Sequence, residues 1–271
     1  MKTNQFILSF DVEEFDAPLD FGKKLSMDAQ MQTSHQGLLR ILDLLDKFEI
    51  SATFFTTANF AQYYPDLLSE MSKKHEIASH GFYHTTFEIA DLKKSKDALE
   101  TIIGKKILGY RMARMAKIDE QEIAKAGYVY NSSLNPIFLP GRYNHFFKQR
   151  TPFEKFGIWQ IPASATPLIR FPMFWLSFKN LPLSWIKMAA NWILSKDKEK
   201  QVNFYFHPWE FTDVTDKSKY GLPFYMSRHS KQKMLDKLEA FIRWAGMKGK
   251  FITFADLYQT LEIDKIRDDI K

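Results

Sequence analysis

The chain has 271 residues, 45% of them hydrophobic and 26% charged, which is typical of a globular protein rather than a disordered or fibrous one. It has no cysteine, so disulfides and thiolate metal sites are excluded. The net charge of +6 suits anionic glycans, lipid headgroups or nucleic acid without choosing among them. No signal peptide and no apolar run of about 18 residues, the length of a membrane-spanning helix, is evident.

The first predicted strand ends in a cluster of carboxylates. Residues 6–12 form an apolar run of strand length, and Asp11, Glu13 and Glu14 lie at its carboxyl end. Side chains at positions i and i+2 of a strand point to the same face. We therefore expect Asp11 and Glu13 to face one site and Glu14 the opposite side, unless a bulge exchanges the roles of the two glutamates.

The next elements alternate between helix and strand. A polar, turn-rich stretch is predicted up to about Thr33, and Ser34 is predicted to cap the first helix. Residues 51–57 are the second predicted strand. Residues 59–74 have helical character, with an interruption at Pro65.

Two histidines follow the third predicted strand, residues 76–78. If His80 and His84 lie on a helical turn, their side chains share one face and both can reach one cation. A pair of surface histidines is the plainer interpretation of this spacing, since short motifs often occur by chance. The carboxylates after the first strand favour the metal interpretation, because they can supply a third ligand.

The rest of the chain continues the alternation. Predicted strands at 107–110, 128–130, 158–161, 202–206 and 251–254 are separated by stretches that include predicted helices at 91–103, 119–126 and 230–247. Such alternation predicts a parallel sheet with crossover helices. Several strands end in a polar residue: Arg111, Asn131 and His207. We therefore predict an α/β fold, a distorted (β/α) barrel of about seven parallel strands, with residues 1–271 forming one domain and the site at the strand carboxyl ends.

Five short motifs together resemble a known family. They are Asp11-Val12-Glu13, His80 with His84, Gly109-Tyr110-Arg111, Tyr130-Asn131-Ser132-Ser133 and His207-Pro208-Trp209-Glu210. In this order they resemble the motifs of polysaccharide deacetylases, the NodB-like enzymes of carbohydrate esterase family four. The last motif, with the later Arg228-His229, is similar to a bacterial branch linked to surface-glycan synthesis.

The resemblance implies a metal-dependent site with defined roles. A divalent ion, with zinc expected, would be held by Glu13, His80 and His84. Asp11 corresponds to the catalytic base, Arg111 to the arginine that orients it and His207 to the general acid. All of these roles are implied by the resemblance alone.

Five further residues are expected to contact substrate or support the catalytic groups: Asn131, Arg114, Trp209, Glu210 and His229. Position 131 often carries aspartate in the family, and its side chain is expected near His207. Asparagine there supplies no net charge, which leaves Glu210 as the rival carboxylate for that histidine. The backbone N–H of Arg114 is a candidate contact for the oxyanion.

The expected function is removal of N-acetyl groups from an N-acetylated sugar of a bacterial surface polysaccharide or its lipid-linked precursor. Hydrolysis of another amide, such as a cyclic imide or ureide, and a non-catalytic carbohydrate-binding barrel remain alternatives. Residues 168–194 combine aromatic and basic residues, which suits a membrane interface or a lipid-linked sugar; alternatively, the aromatic side chains lie in the core or line a sugar groove. We expect a cytoplasmic protein or one bound peripherally at the inner membrane, and no nucleic-acid partner.

Overall fold

The computed structural model describes residues 2–269, and its main element is a nine-stranded sheet. The strands run in the order β10-β1-β2-β3-β4-β5-β9-β8, and β11 pairs with the first residues of β1. Their bounds are β1 Gln5–Val12, β2 Thr53–Thr56, β3 Glu76–Ser79, β4 Gly109–Tyr110, β5 Tyr130–Asn131, β8 Phe153–Lys155, β9 Ile158–Gln160, β10 Gln201–Phe206 and β11 Lys250–Phe251. A separate hairpin joins β6 Phe138–Leu139 to β7 Tyr143–Asn144.

The sheet is mostly parallel and open. Every pairing in it is parallel except that of β8 with β9. Within residues 2–269 no pairing joins the terminal strands β10 and β8, so the curled sheet forms a half-barrel. The predicted α/β fold with a distorted barrel is confirmed.

Helices pack between and around these strands. Their bounds are α1 Met27–Lys47, α2 Ala58–Tyr63, α3 Pro65–Met71, α4 Ala90–Ile103, α5 Glu120–Lys125, α6 Trp175–Asn180, α7 Leu183–Lys196, α8 Lys217–Tyr220, α9 Phe224–Ser227, α10 Gln232–Gly246 and α11 Phe254–Asp269. Three short 3₁₀ turns cover Ala17–Phe21, Ala113–Met115 and Pro208–Phe211. In this part of the chain, no helix combines the length and apolar character needed to cross a membrane.

The start of the first helix differs from the prediction. It begins at Met27, where the Ser26 hydroxyl accepts a hydrogen bond from the Ala29 N–H at 3.3 Å. Ser34 lies buried inside the helix, so the prediction that it caps this helix is wrong. The first two turns of this helix are largely polar. They lack the regular spacing of apolar residues by which a helix is predicted, so its start was placed too late. The predicted interruption at Pro65 is confirmed, since Pro65 is the first residue of α3.

The alternation along β1 places the site on the inner face of the sheet. Phe6, Leu8 and Phe10 belong to the large core packed under the helices, whereas Ile7 belongs to a smaller cluster inside the half-barrel. Because side chains alternate along a strand, Asp11 follows Ile7 onto the inner face. The first strand therefore delivers a carboxylate into the interior at its carboxyl end.

Half of the six aromatic side chains in 168–194 are buried in the core. Phe174, Trp175 and Phe178 are buried, and Phe178 packs edge-on against Phe206 of β10. Trp185 on α7 is exposed. These buried aromatic side chains therefore belong to the core, as one of the two interpretations of this stretch expected.

Candidate active site

A pocket opens at the carboxyl ends of β1, β3 and β10. Its lining combines carboxylates, imidazoles, guanidinium groups and aromatic rings: Asp11, Glu13, Asp16, Ala17, Asp20, His80, His84, Arg114, Met115, Arg142, Tyr143, Trp175, Tyr205, His207, Trp209 and Met226. Its volume is about 70 Å³, far smaller than pockets that enclose a drug-sized ligand. It therefore has room for a small group of a substrate rather than for a whole sugar ring.

Glu13, His80 and His84 meet at one point of this pocket. Glu13 Oε2 lies 3.2 Å from His80 Nε2 and 2.9 Å from His84 Nε2, and all three side chains are buried. His80 Nδ1 lies 2.9 Å from the Arg111 carbonyl oxygen, which orients Nε2 toward the glutamate. Among the described residues, Glu13 Oε2 and His80 Nε2 have no hydrogen-bond partner. Buried polar atoms are normally paired, so this convergence fits a bound cation.

The two histidines are not on a helix. They lie in a loop after β3, Gly81 between them has φ +88°, and α4 begins only at Ala90. The predicted helical turn is therefore wrong, although the loop brings the rings together with their centroids 5.7 Å apart. A positive φ at Gly81 costs little because glycine has no Cβ.

Neighbouring charges lower the pKa of the carboxylate in this cluster and raise that of one histidine. Burial alone would raise the pKa of Glu13, but the positive charges of His84 and His207 and the contacts of both loop histidines hold it well below its usual range. Burial alone would lower the pKa of His84, but Glu13 and Asp16 raise that pKa to about 10. The carboxylates therefore demand a positive charge at this point, which a proton or a metal ion can supply.

Asp16 is a site residue that the sequence reasoning missed. It is almost completely buried, and its Oδ2 lies 2.8 Å from His84 Nδ1 and accepts a hydrogen bond from Arg114 Nη2 at 2.9 Å. Arg114 also donates through Nη1 to Asp20 at 2.6 Å. The signal was the acidic run after β1, which continues beyond Glu14 to Asp16. Glu14 itself accepts hydrogen bonds from Thr57 Oγ1 and Asn59 Nδ2.

Asp11 is held by a completely buried arginine. Arg111 Nη1 donates to Asp11 Oδ1 at 2.6 Å and to Ser9 Oγ at 3.0 Å. Its other donors bond to Ser132, Nε to the backbone oxygen and Nη2 to Oγ. The guanidinium carbon lies 3.9 Å from the centroid of the Phe55 ring. These contacts fix the guanidinium, which binds Oδ1 of Asp11 and leaves Oδ2 facing the pocket.

His207 lies across the pocket from the arginine. Its Nε2 is 4.0 Å from Asp11 Oδ2, and its Nδ1 is 2.9 Å from Glu210 Oε1. The Trp209 ring stacks on the imidazole, and Trp175 meets it edge-on. Burial alone would lower the pKa of His207, but Glu13, Glu210 and Asp11 raise it above its usual value. The histidine is thus biased toward its protonated form.

Asn131 and His229 are absent from the lining of the active-site pocket. Asn131 Nδ2 donates to Gln160 Oε1 at 2.8 Å, and its Oδ1 accepts from Ser133, so its hydrogen bonds are made to neighbours on β9 and in its own loop. The carboxylate in contact with the His207 ring is that of Glu210. His229 is exposed and does not line the pocket.

Arg142, Tyr143 and Tyr205 line the pocket without a signal in the sequence, whereas Trp175 belongs to the aromatic stretch 168–194. Arg142 and Tyr143 come from the β6–β7 hairpin, and Trp175 begins α6. Tyr205, on β10, precedes the last motif by one residue. Nothing in the local pattern around the hairpin indicates that it folds over the strand ends.

Comparisons with known proteins agree with this architecture. A family model described as polysaccharide deacetylase matches residues 25–130, a range that includes His80, His84 and Arg111. The resemblance to the polysaccharide deacetylase family is confirmed. Asp11, Glu13 and His207 lie outside the matched range, and the fold brings them to the same pocket.

A curated relative and two solved structures illustrate the likeness. Peptidoglycan-N-acetylmuramic acid deacetylase PdaA of Bacillus subtilis is 31% identical over 64 residues, which is 23% of this chain and 24% of PdaA. The chain is thus aligned with about a quarter of the length of each of these curated relatives.

Both solved structures share the fold. A Mycobacterium smegmatis protein described as a polysaccharide deacetylase superposes with a TM-score of 0.67 at 19% identity, over 97% of this chain and 92% of that one. PuuE allantoinase superposes with a TM-score of 0.59 at 16% identity, over 94% and 89% of the two chains.

Proposed function

We propose that this polysaccharide deacetylase family member is a metal-dependent hydrolase that removes N-acetyl groups from an N-acetylated sugar of a bacterial surface polysaccharide or its lipid-linked precursor. The observation that carries the proposal is the position of Asp11, held by Arg111 on one side and facing His207 on the other, beside the Glu13, His80 and His84 cluster. Hydrolysis of an amide needs a base, an acid and stabilisation of the oxyanion, and this pocket contains candidates for all three.

Glu13, His80 and His84 would hold the divalent ion. Two imidazoles and one carboxylate are a donor set that suits zinc, which makes zinc the first ion to test. When bound, such an ion polarises an amide carbonyl and makes water more acidic. Asp16 would support the site by fixing His84 through Nδ1.

The chain's own side chains supply the proton transfers. Asp11 Oδ2 accepts the proton of the attacking water, while Arg111 orients that carboxylate through a hydrogen bond to Oδ1. His207 donates a proton from Nε2 to the leaving amine, and Glu210 holds Nδ1 on the far side of the ring. Base and acid would therefore act from the same pocket, in which Nε2 of His207 lies 4.0 Å from Oδ2 of Asp11.

The shape of the pocket fits an acetyl group at its base and a sugar at its mouth. The cavity is too small for the ring, so the sugar would lie at the mouth of the pocket, where the partly exposed guanidinium of Arg114 can contact it. PdaA is named for deacetylation of N-acetylmuramic acid in peptidoglycan, which supports an N-acetylated sugar as the substrate class here.

The test is acetate release from N-acetylglucosamine oligomers and from peptidoglycan fragments by zinc-loaded protein. Asp11→Asn and His207→Ala should each lower the rate by about 10²-fold or more, the usual contribution of a positioned base or acid. His229→Ala should retain the rate, because His229 lies outside the pocket. Release of acetate that persists in Asp11→Asn would contradict the assignment.

The same assay separates the alternative functions. The allantoinase shares this fold, so a cyclic ureide is included as a substrate, and its ring opening would move the protein to another class of amide hydrolase. Binding of sugar oligomers without release of acetate would favour a non-catalytic barrel.

Peripheral contact with a membrane is part of the proposal for a lipid-linked substrate. Phe147, Leu168 and Ile169 are exposed in two loops, and Arg170 lies over the Phe146 ring with 5.9 Å from guanidinium carbon to centroid. The residues 138–150 and 167–170 include arginines and a lysine and no acid. Exposed large apolar groups beside cations suit an anionic lipid surface, and such contact would place the protein at the surface of a membrane.

A further inference from the structure

A second cavity, separate from the active-site pocket, is strongly basic. It has a volume of about 290 Å³, at the lower end of the range for ligand pockets. It is lined by Lys179, Asn180, Leu181, Pro182, His229, Lys233, Met234 and Lys237, and this lining contains no acid. The basic cavity lies between the end of α6, the loop before α10 and the first turns of α10.

Lys179 is the unusual residue of this cavity. Its side chain is 2% exposed, and its Nζ donates to the Met226 carbonyl oxygen at 2.7 Å. The ammonium also lies 5.5 Å from the centroid of Trp209 and 5.9 Å from that of Trp175. Burial lowers the pKa of Lys179 to about 8, and the charge of Glu210 opposes this shift only in part. An ammonium has three donors, so one carbonyl does not satisfy it.

The other cations of the cavity reinforce one another's charge. Lys233 and Lys237 are one turn apart on α10, and Lys237 Nζ donates to the Leu181 carbonyl oxygen. Burial first, and then the positive charges of Arg228, Lys233, Lys237 and Lys179, lower the pKa of His229.

Neither nearby acid on α10 offsets these charges. Asp236 accepts a hydrogen bond from Gln232, and Glu239 accepts from Lys47 and Arg243. Lysine in the first turn of a helix is also unfavourable next to the helix dipole. A bound anion would relieve all of these repulsions together.

We propose that the basic cavity is a binding site for a phosphate-class oxyanion, either a phosphate or a diphosphate group. Lysine ammonium groups bind phosphate as point charges with several donors, and a buried ammonium loses little further solvation when the anion arrives. The cavity is next to the active site, because Met226, whose carbonyl holds Lys179, also lines the active-site pocket. The oxyanion is a free phosphate compound or the phosphate of a lipid headgroup, and the experiment separates these sources.

The experiment is calorimetric titration of the full-length protein with inorganic phosphate and with diphosphate at low ionic strength, alongside sedimentation with phosphatidylglycerol and phosphatidylcholine vesicles. The double variant Lys233→Met, Lys237→Met should weaken binding by about tenfold or more, the change expected when a charge-assisted hydrogen bond is lost. Lys125→Met, which removes an exposed lysine on α5, is the matched control and should bind as the parent does.

A second control separates this site from the metal centre, which could itself attract phosphate. His80→Ala should retain diphosphate binding, because it alters the active-site pocket and leaves the basic cavity intact. Binding of diphosphate that depends on Lys233 and Lys237 supports a soluble phosphate ligand. Vesicle binding with the same dependence, and none of soluble phosphate, supports a lipid headgroup. Absence of binding to every probe, or binding unchanged in the double variant, would overturn the proposal whatever the outcome for deacetylation.

Discussion

His207 Nδ1 lies 2.9 Å from Glu210 Oε1, and the same oxygen accepts a hydrogen bond from the His207 backbone N–H at 2.7 Å. One carboxylate thus fixes both the backbone and the ring of the histidine. The contact is local, because the 3₁₀ turn Pro208–Phe211 returns position 210 to position 207. With Nδ1 bound to the carboxylate, Nε2 faces Asp11 across the pocket.

Glu210→Gln should therefore change the pH dependence of the proposed reaction. Glu210 raises the pKa of His207, and Glu13, another contributor, would share its charge with a bound cation. Removing the Glu210 charge should lower the pKa of His207. General-acid catalysis needs the protonated ring. As pH rises, activity should therefore begin to fall at a lower pH in the variant than in the parent. The measurement is kcat/KM against pH, in which the alkaline limb should move to lower pH.

Asn131→Asp is the matched control for this shift. Position 131 contacts Gln160 and Ser133 rather than His207, so a new carboxylate there should leave the alkaline limb close to that of the parent. If Asn131→Asp moved the limb and Glu210→Gln did not, the assignment of Glu210 as the partner of His207 would be wrong.

Asp16→Asn should weaken zinc binding. Asp16 contacts the ring nitrogen of His84 that faces away from Glu13, and loss of such a supporting carboxylate typically costs about 10–100-fold in metal affinity. Competition titration with a zinc chelator would measure the change. Asp20→Asn is the control, because Asp20 bonds to Arg114 and is more exposed. Equal affinities of Asp16→Asn and the parent would remove Asp16 from the metal site.

The exposed loops give a prediction for membrane contact. Phe147→Ser with Leu168→Ser should reduce co-sedimentation with phosphatidylglycerol vesicles, since each removes a large apolar side chain that is 80% or more exposed. Binding by the parent should also weaken with added salt, because the flanking cations are exposed to screening. Met247→Ser removes an exposed apolar group on the segment after α10 and should have no effect. A parent protein that fails to bind vesicles at low salt would exclude this surface.

The fold and part of the site followed from local patterns. Asp11, His80, Arg111 and His207 each come at or just after the carboxyl end of a strand, and parallel strands bring those ends to one edge. The roles expected for these residues came from the family resemblance. That reasoning needs only the positions of strand ends, which apolar runs indicate well.

The remaining features depend on tertiary contacts that have no local period. The hairpin that delivers Tyr143 folds over the pocket, and Asn131 is occupied by a neighbour on β9. The histidine loop adopts its shape through Gly81 rather than through helical spacing. Each of these features is decided by which segments pack together, so the sequence pattern could not specify it.

The packing of α1 against the last motif provides a test of how the acid histidine is positioned. Gly37 of α1 faces the turn after β10 so closely that an added Cβ would lie 1.8 Å from the Pro208 carbonyl oxygen. That oxygen is backbone and cannot rotate away, so Gly37→Ala should push the Pro208–Phe211 turn outward and carry His207 with it. Overpacking of this kind typically destabilises a protein by about 1–3 kcal/mol.

Gly37→Ala should thus lower the free energy of unfolding, measured with urea, and lower kcat while zinc stays bound, because no metal ligand lies on the displaced turn. Gly246→Ala is the matched control at the end of α10, where an added Cβ meets nothing within 4 Å. It should leave activity unchanged and stabilise the helix by about 0.5–1 kcal/mol. If both variants retained the parent's kcat, the close approach of α1 would have no part in positioning His207.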